Sequence, residues 1–192
     1  MQRLCVFCGS KSGDRAVYAD AARHLGQELV RRGIGLVFGA GHVGLMGVLA
    51  DAVLEAGGEA IGVIPEALVD RELAHNSLTE LRVVATMHER KAMMFELSDA
   101  FMALPGGFGT LEELFEIVTW VQLGLHQKPV GLVNIDGFYD ALLGTLDHMV
   151  REGFLKQRSR RMLLAADDPI RLLDLLDEPP AEQENWIEPK DL

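Results

Sequence analysis

Short apolar runs alternate with helix-like segments along almost the whole chain. Each run, rich in Val, Ile, Leu and Ala, leads into a longer segment whose apolar residues recur at helical spacing. Strands that alternate with helices form a parallel sheet with helices on both faces, and its doubly buried strands are apolar throughout. The pattern therefore predicts an α/β fold with a single Rossmann-like, doubly wound parallel sheet.

The limits of the elements follow from the ends of the apolar runs and from glycine and proline stops. The predicted strands cover Arg3 to Cys8, Gly35 to Phe38, Glu59 to Ile64, Leu81 to Val84, Ala100 to Leu104, Val130 to Asn134 and Met162 to Ala165. The predicted helices cover Arg15 to Arg32, Leu45 to Ala56, Met87 to Leu97, Thr110 to Leu125, Gly137 to Glu152 and Pro169 to Leu176. We expect residues 1–177 to form one domain and residues 178–192 to be a frayed acidic tail.

Charge and hydropathy exclude several classes of protein. The 192 residues include 18 basic and 29 acidic side chains, a formal net charge of −11, so the protein repels phosphate backbones and is not expected to bind nucleic acid. No apolar run approaches the roughly 18 residues of a membrane helix, so no membrane partner is expected. The first residues lack the long apolar region and the cleavage site of a signal peptide. We expect a cytoplasmic protein.

Two cysteines, Cys5 and Cys8, have a C-x-x-C spacing. Such a pair can be a redox centre or half of a metal site, but redox motifs of this kind usually open a helix after a strand. Here both residues lie within the first predicted strand, where positions i and i+3 face opposite sides of the sheet. We therefore expect two buried strand residues and no metal site.

Glycine-rich loops follow three of the predicted strands. They are Gly9-Ser10, Gly39-Ala40-Gly41 and Pro105-Gly106-Gly107. Ligands of doubly wound sheets bind beyond the carboxyl ends of the strands, and glycine allows the backbone to approach a ligand closely. We expect the three loops to converge on one site.

The segment Pro-Gly-Gly-Phe-Gly-Thr-Leu-Glu-Glu at 105–113 is the densest of these signals. A strand ends, glycines follow, and a helix is predicted to begin at Thr110, so free backbone N–H groups and the positive end of the helix offer a seat for an anion. Thr110 and Glu113 also have the spacing of a capping box, with Thr at the N-cap and Glu at N3. Capping explains these two residues but not the three glycines, which favour ligand binding.

The helix predicted from Met87 to Leu97 begins with the sequence Met-His-Glu-Arg-Lys. Adjacent Arg90 and Lys91 near a helix start are unfavourable for the helix dipole. They form either a solvated basic patch or a clamp for phosphate, which an acidic protein has to build locally.

A G-x-G-x-x-G spacing is present at Gly39, Gly41 and Gly44, after a strand and before a helix. That context fits a dinucleotide-binding fingerprint. However, the motif follows the second predicted strand, and the acidic residue expected about 20 residues later would be near Glu59, at the start of a strand and not at its end. Dinucleotide binding is therefore the weaker interpretation.

With these motifs the sequence resembles the LOG ("lonely guy") family, the cytokinin riboside 5′-monophosphate phosphoribohydrolases, which are often mislabelled lysine decarboxylases. The paired segments at 87–91 and 105–113 carry the resemblance, and the segments at 5–10, 41–47 and 119–126 also match the family pattern. Ala40 stands where many members have Gly, and Phe108 where many have Tyr. The resemblance implies a nucleotide-binding hydrolase, without a cofactor, that cleaves the N-glycosidic bond of a purine nucleoside 5′-monophosphate such as AMP or N6-prenyl AMP. The products would be the free base and ribose 5-phosphate.

The resemblance also implies roles for individual residues. Glu113, paired with Arg90, would be the catalytic carboxylate that stabilises positive charge at the ribose C1′ or activates water. The 5′-phosphate is expected on the glycine turn and Thr110. The residues implied to line the nucleotide site are Ser10, Glu72, Lys91, Gly106, Gly107, Phe108, Gly109, Thr110, Leu111 and Glu112.

Other activities are less favoured. A pyridoxal-dependent decarboxylase needs a lysine that forms a Schiff base and a partner for the pyridinium nitrogen; Lys91 beside Arg90 and Lys128 before Pro129 have neither context. Two further functions stay open, a dinucleotide-dependent oxidoreductase indicated only by residues 39–44, and a nucleotide-binding sensor without catalysis.

The helix predicted from Thr110 to Leu125 is apolar around most of its circumference. A surface helix needs only one apolar face, and one domain of this size has no spare layer to cover a second. We therefore expect a homodimer with this helix at the interface and with Val121 exposed in the monomer. The resembling family is also dimeric.

Overall fold

The computed structural model describes residues 1–69, 75 and 77–178. Within these ranges, seven strands form one sheet in which every neighbouring pair is parallel. The strands are β1 (Arg3–Phe7), β2 (Gly35–Phe38), β3 (Ala60–Pro65), β4 (Glu80–Val84), β5 (Ala100–Ala103), β6 (Val130–Val133) and β7 (Leu163–Ala166). The predicted doubly wound parallel sheet is confirmed.

The order of the strands is β4-β3-β2-β1-β5-β6-β7. The chain therefore builds outward from β1 to β4, crosses the sheet, and starts again at β5 on the other side of β1. Such a reversal opens a crevice beyond the carboxyl ends of the two central strands, where ligands of these sheets bind.

Helices cover both faces of the sheet. They are α1 (Ala16–Arg31), α2 (Gly44–Glu55), α3 (Met87–Leu97), α4 (Phe108–Gln122), α5 (Asp140–Arg151), α6 (Gln157–Arg160) and α7 (Pro169–Asp177). One apolar core lies between the sheet and α1, α2 and α7, and a second lies between the sheet and α3, α4 and α5. Successive strand side chains point into opposite cores, as the period of a strand requires.

Most predicted elements are present with ends that differ by one or two residues, but three details were wrong. Helix α4 runs from Phe108 to Gln122, so it begins two residues before the predicted Thr110 and ends three residues before the predicted Leu125. Helix α5 begins at Asp140, because residues 135–137 form a 3-10 turn in which Asp136 has a positive φ of 50°. The four-residue helix α6 was not predicted, since so short a segment has no period to recognise. The predicted tail lies, after Glu178, outside the described residues.

The two cysteines are buried on opposite faces of the sheet. Cys5 lies in the core under α3, α4 and α5, whereas Cys8 lies in the core under α1, α2 and α7, and both are free thiols. Burial raises the pKa of both thiols well above the usual range, and a reactive thiol needs the opposite shift. The prediction that both are buried is confirmed, but only Cys5 lies within β1, because the strand ends at Phe7.

Among the residues that the structure describes, no helix is both long and apolar enough to cross a membrane.

Candidate active site

Three glycine-rich loops meet in the crevice beyond β1, β2 and β5. The Gly9 N–H donates to the Pro105 carbonyl at 3.1 Å, and the Leu45 N–H donates to the Gly9 carbonyl at 3.0 Å. The loop after β1 therefore bridges the loops after β2 and β5. The predicted convergence of the three loops is confirmed, and Ser10 lies exposed at its centre.

The turn between β5 and α4 presents a helix start to the crevice. Gly107 is the N-cap residue and Phe108 the first residue of the helix, so Thr110 is the third residue and is 4 % exposed. The proposed capping box at Thr110 and Glu113 is therefore wrong. The Thr110 hydroxyl instead folds back against the Cα of Gly106, where any side chain on residue 106 would collide with it.

The two glycines that follow face open space. A Cβ atom on Gly107 or Gly109 would have no described atom within 4 Å, and the Phe108 side chain between them is 95 % exposed. The first N–H groups of a helix have no partner within it. In this turn they are accessible to a ligand, at the positive end of the helix dipole.

The start of α3 has a side-chain cap that α4 lacks, and it differs from a capping box only in that the Glu89 carboxylate binds the residue before the N-cap. The Thr86 hydroxyl accepts a hydrogen bond from the Glu89 N–H at 3.1 Å, and the Glu89 carboxylate accepts one from the Ala85 N–H at 3.0 Å. This cap fixes the first turn of α3. Arg90, one residue further, is thereby directed into the crevice.

Arg90 is a buried cation that joins two of the loops. Its side chain is 7 % exposed, its Nη2 donates to the Gly39 carbonyl at 3.3 Å, and the same nitrogen lies 3.8 Å from Oε1 of Glu113. The Nε atom is buried and has no hydrogen-bond partner among the described residues. A guanidinium with a spare buried donor can bind a further polar group.

Glu113 lies one turn and a half into α4, with a side chain that is 13 % exposed. Because Cα–Cβ bonds tilt toward the N-terminus of a helix, the carboxylate extends back toward the glycine turn. A shielded carboxylate beside a guanidinium, next to an open helix N-terminus, can stabilise positive charge on one part of a ligand while the helix binds negative charge on another.

Comparison with known proteins identifies the lineage. A family described as "Possible lysine decarboxylase" matches residues 46–176. The probable cytokinin riboside 5′-monophosphate phosphoribohydrolase LOGL1 of Oryza sativa subsp. japonica is 56 % identical over 171 residues, 89 % of this chain and 77 % of the relative. The chain belongs to the LOG family. The cytokinin riboside 5′-monophosphate phosphoribohydrolase LOG2 of Arabidopsis thaliana is 50 % identical over 186 residues, 97 % of this chain and 87 % of the relative.

Solved structures share the fold of this LOG-family chain at low sequence identity. The molybdenum cofactor binding protein from Rippkaea orientalis superposes with a TM-score of 0.69 at 22 % identity, over 92 % of this chain and 96 % of the other. The molybdenum cofactor carrier protein from Chlamydomonas reinhardtii gives a TM-score of 0.67 at 18 % identity, over 91 % and 97 % of the two chains. These similarities establish the Rossmann-like fold.

The surroundings of Lys91 and Lys128 show whether either could be the Schiff-base lysine that the family's decarboxylase name implies. The Lys91 ammonium lies 2.5 Å from Glu112 and 3.0 Å from Glu116. Burial disfavours its charged form, but the two carboxylates outweigh burial and raise the pKa of Lys91. Lys128 donates to the Phe95 carbonyl at 2.6 Å and lies over the Phe95 ring. Burial lowers the pKa of Lys128, but its ammonium is already bound by the Phe95 carbonyl and ring. A Schiff-base lysine has to be available as a neutral amine that is free to react; the ion pairs hold Lys91 charged, and the Phe95 contacts occupy Lys128.

The glycines of the loop after β2 approach protein atoms. A Cβ on Gly39 would collide with the Arg90 guanidinium, and one on Gly41 would lie 2.6 Å from the Met46 methyl group. Dinucleotide fingerprints need such glycines for a pyrophosphate to approach. Here Arg90 and Met46 occupy that space, so the spacing at 39–44 has a structural cause.

Other site residues are only partly visible in the sequence. Leu111 and Glu112 lie on the first turns of α4, whereas Glu72 lies outside the described residues. Sequence reasoning missed Glu116, which shares Lys91 with Glu112, and His75, whose N–H donates to the Ala40 carbonyl at 3.0 Å. Glu116 lies at helical spacing from Glu112 and Glu113, which was a usable signal; His75 belongs to no motif.

Proposed function

We propose that this protein hydrolyses the N-glycosidic bond of a purine nucleoside 5′-monophosphate of the cytokinin type, such as AMP or N6-prenyl AMP, to the free base and ribose 5-phosphate. The observation that carries the proposal is the shielded Arg90–Glu113 pair beside the open N-terminus of α4. The names of the LOG relatives, which describe this reaction, support it.

Glu113 is the proposed catalytic carboxylate. As the bond between C1′ and the base nitrogen breaks, its electron pair leaves with the base and positive charge develops at C1′. A carboxylate close to C1′ stabilises that charge, and it accepts a proton from the water whose oxygen forms the new bond. The base takes up one proton, so the sum is addition of one water molecule across the bond.

Arg90 is the proposed partner of that carboxylate. Its hydrogen bond to the Gly39 carbonyl and its 3.8 Å distance to Glu113 anchor it between two loops. In this position it orients Glu113. A fixed guanidinium loses little side-chain entropy when it binds a ligand.

The 5′-phosphate is proposed to bind at the turn from Gly106 to Thr110, next to Ser10. Gly107 and Gly109 leave room for close approach, and the helix start supplies N–H donors and a favourable dipole. The remaining lining residues of this proposed site are Glu72, Phe108, Leu111 and Glu112, with Lys91 acting through its ion pairs to Glu112 and Glu116.

Product analysis tests this function directly. The purified protein is incubated with AMP, isopentenyladenosine monophosphate and adenosine, and the released bases are separated by chromatography. We expect base from both nucleotides, and kcat/KM for adenosine lower than for AMP by at least about 100-fold, because the nucleoside cannot use the phosphate seat. Comparable rates on AMP and adenosine would contradict the proposal that the Gly106–Thr110 turn binds the 5′-phosphate. Binding of AMP without release of adenine would indicate a sensor.

A homodimer across α4 is part of the proposal. Leu114, Ile117 and Val121 pack on the sheet, so the expectation that Val121 is exposed in the monomer was wrong. Leu111, Phe115 and Val118 form a second, half-buried stripe, and Leu125 beyond the helix is 68 % exposed. An apolar stripe of this kind is suited to a two-fold interface.

Light scattering tests the dimer. A single species near 21 kDa at micromolar concentration would refute it. We expect Val118→Asp to dissociate the dimer, because it places a charge in the apolar stripe, whereas Val17→Asp on the exposed side of α1 serves as the matched control.

We further propose that the protein is located in the cytoplasm, where the two free thiols stay reduced.

A further inference from the structure

The hydrogen-bond ladder between β1 and β5 shifts by one residue at its end. In a regular parallel ladder, the Leu104 N–H bonds to the Phe7 carbonyl, and the Leu104 carbonyl accepts the next bond, from the Gly9 N–H. The first bond is present at 2.9 Å, but the Gly9 N–H bonds to the Pro105 carbonyl at 3.1 Å instead. The Leu104 carbonyl is thereby released from the sheet directly before the glycine turn.

The hydroxyl of Tyr139 satisfies the released carbonyl. Tyr139 is 3 % exposed, and its O–H donates to the Leu104 carbonyl at 2.8 Å. Leu104 is fully buried, so without this donor the carbonyl would have no access to water, which is strongly unfavourable. Burial raises the pKa of Tyr139 above the usual range, so the hydroxyl stays a donor.

Tyr139 is held in place by its own supports. Its backbone N–H donates to Oδ1 of Asn134 at 2.7 Å, and the Asn134 amide donates to Asp140 at 2.7 Å. The phenol is therefore delivered to β5 by a rigid loop between β6 and α5. A donor fixed in this way can favour one backbone arrangement over another.

We propose that Tyr139 is a positioning residue that selects the shifted ladder and so presents the Gly106–Thr110 turn to the 5′-phosphate of the substrate; this rests on the proposed function. The competing arrangement is the regular ladder, in which Gly9 bonds to Leu104 and Pro105 turns away. Gly9 and Gly106 pack closely enough that this exchange moves the turn: a Cβ on Gly106 would lie 3.0 Å from the Gly9 nitrogen. If only a fraction of the protein has the shifted ladder, the apparent affinity for the phosphate is reduced in proportion to that fraction.

The test is Tyr139→Phe, which keeps the ring and removes the donor. Binding of ribose 5-phosphate by isothermal titration is expected to weaken about tenfold, and KM for AMP to rise by a similar factor, while kcat changes less than about threefold. Tyr18→Phe, the same change on a ring that packs edge-on against Phe138, should leave all three values unchanged. Asn134→Ala removes the acceptor of the Tyr139 backbone N–H. It should also weaken ribose 5-phosphate binding, but by a smaller factor.

Two results would overturn the proposal. One is that Tyr139→Phe lowers the melting temperature but binds ribose 5-phosphate as well as wild type, which identifies a purely structural residue. The other is that Tyr139→Phe lowers kcat about tenfold and leaves KM for AMP unchanged. Ribose 5-phosphate binding requires no turnover, so wild-type protein that binds it but releases no base from AMP or from isopentenyladenosine monophosphate would refute the hydrolase and leave the role of Tyr139 measurable. Wild-type protein that releases base from AMP but does not bind ribose 5-phosphate would refute the phosphate site at the Gly106–Thr110 turn, and with it the role of Tyr139, but not the hydrolase.

Discussion

The two longest glycine loops of the crevice look alike in sequence but differ in what approaches them. In the loop after β2, Gly39 and Gly41 are close to Arg90 and Met46. In the turn after β5, Gly107 and Gly109 face open space. Protein atoms fill the space beside the first loop, whereas the space beside Gly107 and Gly109 is open, and we propose that a ligand binds there. Glycine density alone therefore does not distinguish a loop packed against protein atoms from one that is open to a ligand, and the structure makes that distinction.

The largest expected effect comes from Glu113, the carboxylate next to the open turn. Glu113→Gln keeps the size of the side chain but removes the charge that, under the proposed mechanism, stabilises the transition state. We expect base release from AMP to fall by about 10³-fold, within the range for loss of an electrostatic or general-base group, with the midpoint of thermal unfolding nearly unchanged.

The control for Glu113→Gln is Glu152→Gln, an exposed carboxylate at the end of α5. It should retain wild-type activity. A Glu113→Gln protein that keeps most of its activity but unfolds at lower temperature would show that this carboxylate is structural, and the open turn would lose its link to catalysis.

The second prediction compares the same Gly→Ala substitution in the two loops. Gly39→Ala puts a Cβ where the Arg90 guanidinium lies, so Arg90 has to leave its buried position; we expect a loss of about 2 kcal/mol or more in the free energy of unfolding, measured by chemical denaturation. Gly107→Ala puts its Cβ into open space at a φ of −98° that any residue adopts. We expect its stability to change by less than about 0.5 kcal/mol.

Gly107→Ala should separate ligand affinity from stability. The Cβ of Gly107→Ala narrows the phosphate seat, so AMP should bind about tenfold more weakly although the fold is intact. If Gly107→Ala destabilises the protein as much as Gly39→Ala, or binds AMP normally, the distinction between a filled loop and an open turn is lost.

The sequence was sufficient for the framework of the site but not for its contacts. Continuous apolar runs predicted the strands, and the rule that ligands bind beyond strand ends predicted that Gly9, Gly39 and Gly106 converge. The close approach of Arg90 to Glu113 was implied by the resemblance to the LOG family. None of these predictions depends on how individual side chains pack.

What failed depended on tertiary packing. A Thr-x-x-Glu spacing occurs at Thr86 and at Thr110, but only Thr86 caps a helix, because Thr110 is buried against Gly106. Val121 was misassigned because α4 is apolar on two faces, and spacing cannot tell which face the sheet covers. For Lys91 the sequence left a solvated basic patch and a phosphate clamp open, and its ion pairs with Glu112 and Glu116 on a neighbouring helix could not be predicted from spacing.

The smallest expected effect concerns Ala40, between the two glycines of the filled loop. Its φ of +65° lies in the left-handed region, which costs a residue with a Cβ about 1 kcal/mol. Ala40→Gly removes that strain, but it also adds entropy to the unfolded chain, worth about 0.5–1 kcal/mol, and deletes a fully buried methyl group. These contributions nearly cancel, so the melting temperature should move by less than about 2 °C. Ala40→Val sharpens the test, because a β-branched residue is a true outlier at this φ and should destabilise the protein by at least about 2 kcal/mol. Equal, small effects of both variants would mean that the loop relaxes freely, and then neither Gly39 nor its carbonyl could fix Arg90.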